Sequence, residues 1–385
     1  LKGSFASKKT QYTGNLKGNI GEFQMDGAFE AASLQPLQDL TAHLESQGPS
    51  AAAAGLVIGV RGLPREPYDL GIRLTDQANG IAIEEISFET AGAVLAASGL
   101  IHSFPALANM DLELKLDVEN IARFNELLPG DGVPAVPLNL EASVKSNTKG
   151  DNDSLEVKAR FGKSDARVSA LLTEDQKFTG SRIDFSADVP DSLKLGETLG
   201  LPIRKTVGIT LRGTGEITVA GIKFESAQGK VGRHKYSASG ELPLYSNEPA
   251  LNFDAAIEGP DLAELVSIFA VTDRIPAMPY QLGGTLLFAN DTLSLKPVSG
   301  NIGDNKISAD GTLQFAGSTP DIDLKLSADG TNLNSILQTQ GIEGGPAESY
   351  AVTSLFKLSD SGITISELDF KTQDDLCLLY TSPSP

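Results

Sequence analysis

Apolar and polar residues alternate with a period of two along most of the chain. The alternation is plain in Leu112/Leu114/Leu116, Ile183/Phe185/Ala187, Phe253/Ala255/Ile257 and Ile322/Leu324/Leu326. Such a pattern predicts strands with one apolar and one wet face. Short segments with helical spacing follow these strands: Ile121/Phe124/Leu127/Leu128, Leu262/Leu265/Val266/Phe269 and Leu333/Ile336/Leu337. Asp261 and Asn332 stand as N-caps before two of them. Hairpins are expected at Tyr280 to Ala289 and Leu293 to Val298 around Asn290-Asp291. A further one is expected at Val207 to Arg212 and Glu216 to Val219 around Gly213-Thr214-Gly215.

These elements recur. Small residues at 27, 99, 170, 240 and 311 each close a β-like phrase and are spaced by 70 to 72 residues. Connector prolines at 64, 134, 202, 276 and 346 keep the same average period. The chain therefore reads as repeats of about 71 residues, each of four strands and one short helix, over 1–64, 65–134, 135–202, 203–276 and 277–346. A truncated repeat, 347–375, carries the hairpin Tyr350 to Leu358 and Ile363 to Phe370. Residues 376–385 carry no charge, break the pattern and read as a non-native tail; they hold the only cysteine, Cys377. The first residue is Leu1, with no basic and apolar leader behind it, so the sequence reads as an internal fragment.

The expected fold is mainly β: an antiparallel sheet, elongated and strongly curved. One short helix per repeat is too little to cover four strands, and 6% aromatics with no tryptophan furnish a sandwich core thinly. A sheet that folds its apolar face into a trough answers both facts, and the 39 glycines supply bends and bulges. Roughly twenty strands at about 4.8 Å each would stack to about 95 Å, beyond a bilayer's full thickness of about 40–45 Å.

Charge narrows the partners. With 31 Lys and Arg against 50 Asp and Glu, the net charge is −19. Such a surface offers no footprint for nucleic acid or an anionic bilayer. Catalytic chemistry is not indicated. His43, His102 and His234 lie in different repeats and read as surface residues, with no ligand spacing around them. The glycine-rich stretches Gly14 to Gly21 and Gly213 to Gly215 read as turns, and Asp151, Asp153, Asp321 and Asp323 as solvated carboxylates. No metal, cofactor or catalytic residue is assigned. The apolar run Ala51 to Val60 is too short to span a membrane and sits where the other repeats place their short helix.

The repeated phrase is apolar-x-apolar-x-x-x-Gly, then Ser/Asp-Gly-x-Leu, a proline, and an alternating run ending in Leu-x-x-Leu. It is clearest from Gly229 to Phe269 and from Gly300 to Leu337. Over residues 1 to about 375 this pattern resembles the AsmA family of bacterial envelope proteins, which has no catalytic motif. The resemblance implies a periplasmic β-groove, anchored to the inner membrane by an N-terminal helix lying outside this sequence. Such a groove would bind phospholipid acyl chains and conduct lipid toward the outer membrane. The expected lining is Leu112, Leu114, Leu116, Ile183, Phe185, Phe253, Ile257, Leu286, Phe288, Ile307, Ile322, Leu324 and Leu326, with the inward face left open. Two other readings stand beside it: a scaffold that assists outer-membrane proteins by strand addition, and a β-repeat adhesin with a filled core.

Overall fold

The computed structural model describes residues 2–8, 11–34, 37–90, 92–103, 108–127, 135–146, 152–173, 178–193, 196, 203–243, 250–269, 275, 277–289, 292–314, 321–334, 337, 345–359, 362–372 and 376–378. The protein is mainly β and its strands pair antiparallel. Two compact units divide it, Leu1–Leu201 and Pro202–Pro385.

The first unit opens with Lys2–Lys8 (β1), Gln11–Ile20 (β2) and Phe23–Ala31 (β3). A two-residue pair, Ser33–Leu34 (β4) and Leu37–Gln38 (β5), stands apart from the main sheet. The sheet continues with Thr41–Gly48 (β6), Tyr68–Gln77 (β7), Gly80–Thr90 (β8), Ala93–Ser103 (β9) and Ala108–Val118 (β10). It ends with Leu138–Lys145 (β11), Asp153–Phe161 (β12), Ser164–Leu172 (β13) and Arg182–Val189 (β14). The second unit holds Ile209–Ile217 (β15), Gly221–Val231 (β16), His234–Pro243 (β17), Leu251–Gly259 (β18), Tyr280–Ala289 (β19) and Thr292–Ile302 (β20). Asn305–Gln314 (β21), Asp321–Gly330 (β22), Tyr350–Ser359 (β23), Gly362–Thr372 (β24) and Leu376–Leu378 (β25) complete it. Within each unit every main-sheet strand pairs with its neighbours in the chain, β3 passing directly to β6. Among the described residues no ladder joins the first strand of a unit to its last.

Short helices interrupt this meander where the sequence placed them. Helix α1 (Ala51–Ile58) joins β6 to β7, a 3₁₀ segment (Ile121–Leu127) follows β10, and α2 (Leu262–Phe269) joins β18 to β19. Ser50 caps α1 by accepting from the Ala53 N–H, and Gly59 ends it at φ 82°. The Asp261 carboxylate accepts from the Glu264 N–H at 3.1 Å at the start of α2. Residues 333, 334 and 337 are helical, while Leu128 and Ile336 lie outside the described residues, as do Pro134, Pro202, Pro276, Asn290 and Asp291. The helices stand at strand ends rather than across the sheet. In the first unit they close a small core in which Ile121 and Phe124 bury against Ala93, Val118 and Val136.

Three expectations are corrected. Strand β15 runs straight through Gly213-Thr214-Gly215, and the chain turns later, where the Thr218 N–H donates to the Gly221 carbonyl at 2.7 Å. Those glycines are strand residues facing a bulge, where a side chain at Gly215 would press on the Lys223 carbonyl at 2.7 Å. Gly14 to Ile20 likewise belong to β2, Gly14 making room for the Phe29 ring, and only Gly21 turns. His234 is a fully buried residue rather than a surface one. In addition, Leu376–Leu378 pairs with β24, Cys377 standing opposite Phe370, while residues 379–385 lie outside the described residues.

The small-residue period has a physical cause. Second strands of the repeats carry bulges, among them those at Ile83/Ile86, Phe224/Ala227 and Leu295/Val298. The residue before each bulge stands opposite Gly99, Gly240 and Gly311 respectively. Gly99 and Gly311 both adopt φ 145°, which side chains rarely tolerate. A Cβ at Gly311 would also sit 2.1 Å from the Asp323 carbonyl oxygen. In the regular pair β12–β13 the anchor is Ala170, opposite Leu155, and no glycine is needed. Gly311→Ala should therefore cost about 2–3 kcal/mol, since it adds backbone strain to a collision. Ala170→Gly should cost about 1 kcal/mol. Urea unfolding followed by circular dichroism checks the order, and a smaller loss at Gly311 than at Ala170 would overturn this account.

Candidate functional site

Residues directly opposite one another in an antiparallel ladder project to the same side of the sheet, so the registers sort the expected lining. In the first unit one row across β8–β14 runs Ile83, Gly99, Leu112, Val144, Leu155, Ala170, Ile183. Its neighbour runs Ile86, Ala97, Leu114, Ala142, Val157, Val168, Phe185. Leu116 continues the same side between Leu95 and Leu140. In the second unit a row crosses β16–β24 through Phe224, Gly240, Phe253, Leu286, Leu295, Gly311, Leu324, Phe356 and Ile365. Phe288 and Ile322 belong to the next row, joined through Leu293 and Leu313. Ile257, Leu326 and Ile307 share that side through Leu282, Ala309 and Ala328. All thirteen residues thus fall on one face of their own unit.

That face is only half covered. Among the thirteen only Ile183 is buried; the others are half-buried against one another. The intervening positions are polar and salt-bridged on the opposite face. Lys357 meets Asp323 at 2.7 Å and Lys235 meets Glu258 at 3.2 Å. The first strands also shape an apolar hollow of about 530 Å³, walled by Phe5, Leu16, Phe29 and Leu44 and deepened by Gly14 and Gly27. A hollow of about 650 Å³ near the β16 bulge is instead lined by Glu225, Asp254, Lys296 and Thr285.

A recurrent seam holds the strand ends beside the helices. Tyr68, Tyr280 and Tyr350 open the first strand of their repeats and are nearly fully buried. Each hydroxyl meets a polar residue, Tyr68 reaching Ser46 Oγ on the paired strand at 2.8 Å, and Tyr280 and Tyr350 reaching across one strand to His234 Nδ1 at 3.0 Å and Asn305 Oδ1 at 3.0 Å. A glycine lies opposite each ring, at Gly48, Gly259 and Gly330. A side chain at Gly330 would fall 2.2 Å from Asn305 Oδ1. Burial raises the Tyr280 hydroxyl to about 12, the negative charge of Glu264 adding to the effect. The sequence reading missed these residues, although tyrosines at 68, 280 and 350, two of them directly after a proline, were a visible mark.

The remaining chemistry is sparse. Among the described residues no group of three His, Cys, Asp or Glu side chains stands together to hold a metal ion. No described helix is long and apolar enough to cross a membrane. His43 is exposed, and His102 bridges strand ends through Asp111 Oδ2 at 2.9 Å and the Asn79 carbonyl at 3.0 Å. No family model, curated protein or solved structure matches this chain.

The His102–Asp111 pair gives a pH signature. The hydrogen bond with Asp111 is the main cause that raises His102 above 6.5, and the reciprocal bond is the main cause that lowers Asp111 below 3.8. The histidine's contribution is complete below 6.5 and disappears as pH climbs through its raised folded value; the aspartate's is complete above 3.8 and disappears as pH falls through its lowered one. Denaturant unfolding of the wild type and His102→Ala should therefore show the largest stability difference near pH 5 and a smaller one at pH 8. An equal difference at both values would refute the assignment.

Proposed function

We propose that the protein is a lipid-binding β-groove segment that conducts phospholipid along its apolar face. The observation that carries this reading is the uncovered apolar side of each unit, continuous through the row from Phe224 to Ile365 and backed by a charged outer side. A contiguous exposed apolar surface of this kind marks a binding surface rather than ordinary protein exterior. Bulged strands, which bend and twist more than regular ones, favour a sheet curled around that side. The resemblance of the repeated phrase to the AsmA family supports the same reading. On that reading the segment would lie in the periplasm, held to the inner membrane and serving the outer membrane.

The energetics suit retention with movement. Removing a methylene from water is worth about 0.8 kcal/mol, so a 16-carbon acyl chain gains on the order of 10 kcal/mol in an apolar trough. Successive repeats offer nearly equivalent walls, which disfavours a deep trap at any one of them. Headgroups would remain at the wet margin, and direction would come from the membranes joined.

Solvent extraction of the purified chain followed by mass spectrometry should recover bound phospholipid. Leu324→Asp, which sets a charge between Gly311 and Phe356, should lower the recovered lipid several-fold with the β-sheet circular dichroism unchanged. Well-folded wild type without acyl lipid would sink the proposal, and crosslinking that captured nascent barrel proteins instead would favour strand addition.

A further inference from the structure

The net charge of −19 conceals one stretch of opposite sign. No acidic residue stands between Glu45 and Glu66, and Arg61 and Arg65 are the only charged residues there. Helix α1 lies within that stretch and has no polar side chain, its sequence being Ala-Ala-Ala-Ala-Gly-Leu-Val-Ile. A helix apolar on every side belongs in surroundings that are apolar on every side. This one has them only at its start. Ala51 is fully buried, whereas Leu56 is 65% exposed and Val60, just beyond the helix, 39%. Arg61 and Arg65 follow, both exposed, and neither forms an ion pair among the described residues. Helix α2 is different: Glu264 engages Arg233, and Leu262, Leu265 and Val266 are half-buried.

The connector clamps α1 so that its far end stands out. The Ala51 N–H donates to the Glu66 carbonyl at 2.7 Å, and the Ala52 N–H to the Pro64 carbonyl at 2.9 Å. The Val60 N–H donates to the Gly55 carbonyl at 2.8 Å. The chain doubles back so closely that a Cβ at Gly55 would lie 2.6 Å from the Val60 carbonyl oxygen. Glu66 is engaged in turn by Arg123 at 3.4 Å, and Gly62, at φ 89°, lies against the Glu126 backbone. A tip ordered in advance loses little entropy when it meets a surface.

We infer that the outer end of α1 is a membrane-contact tip: Leu56 and Val60 seat among the acyl chains of an anionic bilayer while Arg61 and Arg65 meet its lipid phosphates. An aliphatic end rimmed by cations matches the boundary between acyl chain and headgroup. A protein partner fits less well, because α1 offers neither an aromatic anchor nor a side-chain hydrogen-bonding group. Charges are screened over about 8 Å at physiological salt, so the arginines at the bilayer outweigh carboxylates elsewhere on the molecule. Repulsion of the acidic remainder fixes which part approaches. Two aliphatic side chains and two cations give a weak, reversible contact. The inference does not depend on lipid entering the apolar face of the sheet.

The chain has no tryptophan, so Leu56→Trp places a single fluorescent reporter at the tip of the full chain. Its emission should move to shorter wavelength with vesicles of equal parts phosphatidylcholine and phosphatidylglycerol, and stay unchanged with phosphatidylcholine alone. Cosedimentation with the mixed vesicles should fall about tenfold in Leu56→Glu, the scale of withdrawing one leucine from an apolar environment. Arg61→Gln and Arg65→Gln should each lower it about fivefold, and those losses should vanish at high salt. Val219→Glu, which changes an apolar residue 68% exposed at the β15–β16 turn, should have no effect. Leu324→Asp should also leave vesicle binding intact, so the tip and the lipid-conducting face succeed or fail separately. Unshifted emission with the mixed vesicles, or binding that survives Leu56→Glu, overturns the inference. Self-association without vesicles that Leu56→Glu abolishes would also overturn it, by making a second copy the partner.

Discussion

Register between hydrogen-bonded strands is the constraint on which the molecule depends. Side chains alternate along every strand, so a slip of one residue would turn an entire apolar set to the outer side. From β6 through β14, and again from β15 through β24, the pairings keep leucine against leucine and lysine against aspartate without such a slip. Where two residues oppose one, as at Glu84-Glu85, Glu225-Ser226 and Lys296-Pro297, the apolar spacing widens from two to three, and the face is preserved. The bulge and the spacing are two expressions of one requirement. A proline at position 297 is tolerated for the same reason, since a bulge frees a position from ladder donation.

Much of the fold was legible because its signals are local. Alternation in Ile322/Leu324/Leu326 identifies a strand and its apolar set together. Asp261 marks the start of a helix, and the 71-residue period fixes where strands return. Other features were hidden because they depend on a neighbouring strand. Gly213-Thr214-Gly215 has the composition of a turn, yet lies inside β15 opposite the β16 bulge. Nothing in the local sequence around His234 shows that Gly259 makes a space for its ring or that Tyr280 closes over it. The bulges were partly written in the sequence: Ile83 to Ile86 and Phe224 to Ala227 break the strict alternation, and that break precedes an anchoring glycine on the next strand. The candidate lining was readable for the same reason as the strands, whereas the tyrosine seams needed long-range pairing to appear.

The two sides of the sheet divide the physical tasks. Salt bridges such as Lys357–Asp323 and Arg73–Glu85 lie among exposed side chains and contribute little individually to stability. They keep the outer side strongly hydrated and discourage unwanted strand pairing. Cohesion comes instead from the ladders, from apolar neighbours packed along each row, and from the buried ends near Tyr68, Phe124, Tyr280 and Tyr350. The middle of the apolar side is left free of that duty, which is what makes it usable as a surface.

Because each main-sheet strand pairs with its neighbours in the chain within its own unit, no strand there must wait for a distant segment to be made. Contacts of low sequence separation form quickly, and domains assemble in the order in which a chain emerges during synthesis. A repeat of this meander can therefore close behind the growing or threading end, one hairpin at a time. The same architecture leaves the most recently added strand as the growing edge, so assembly is directional even though the finished ladders are alike.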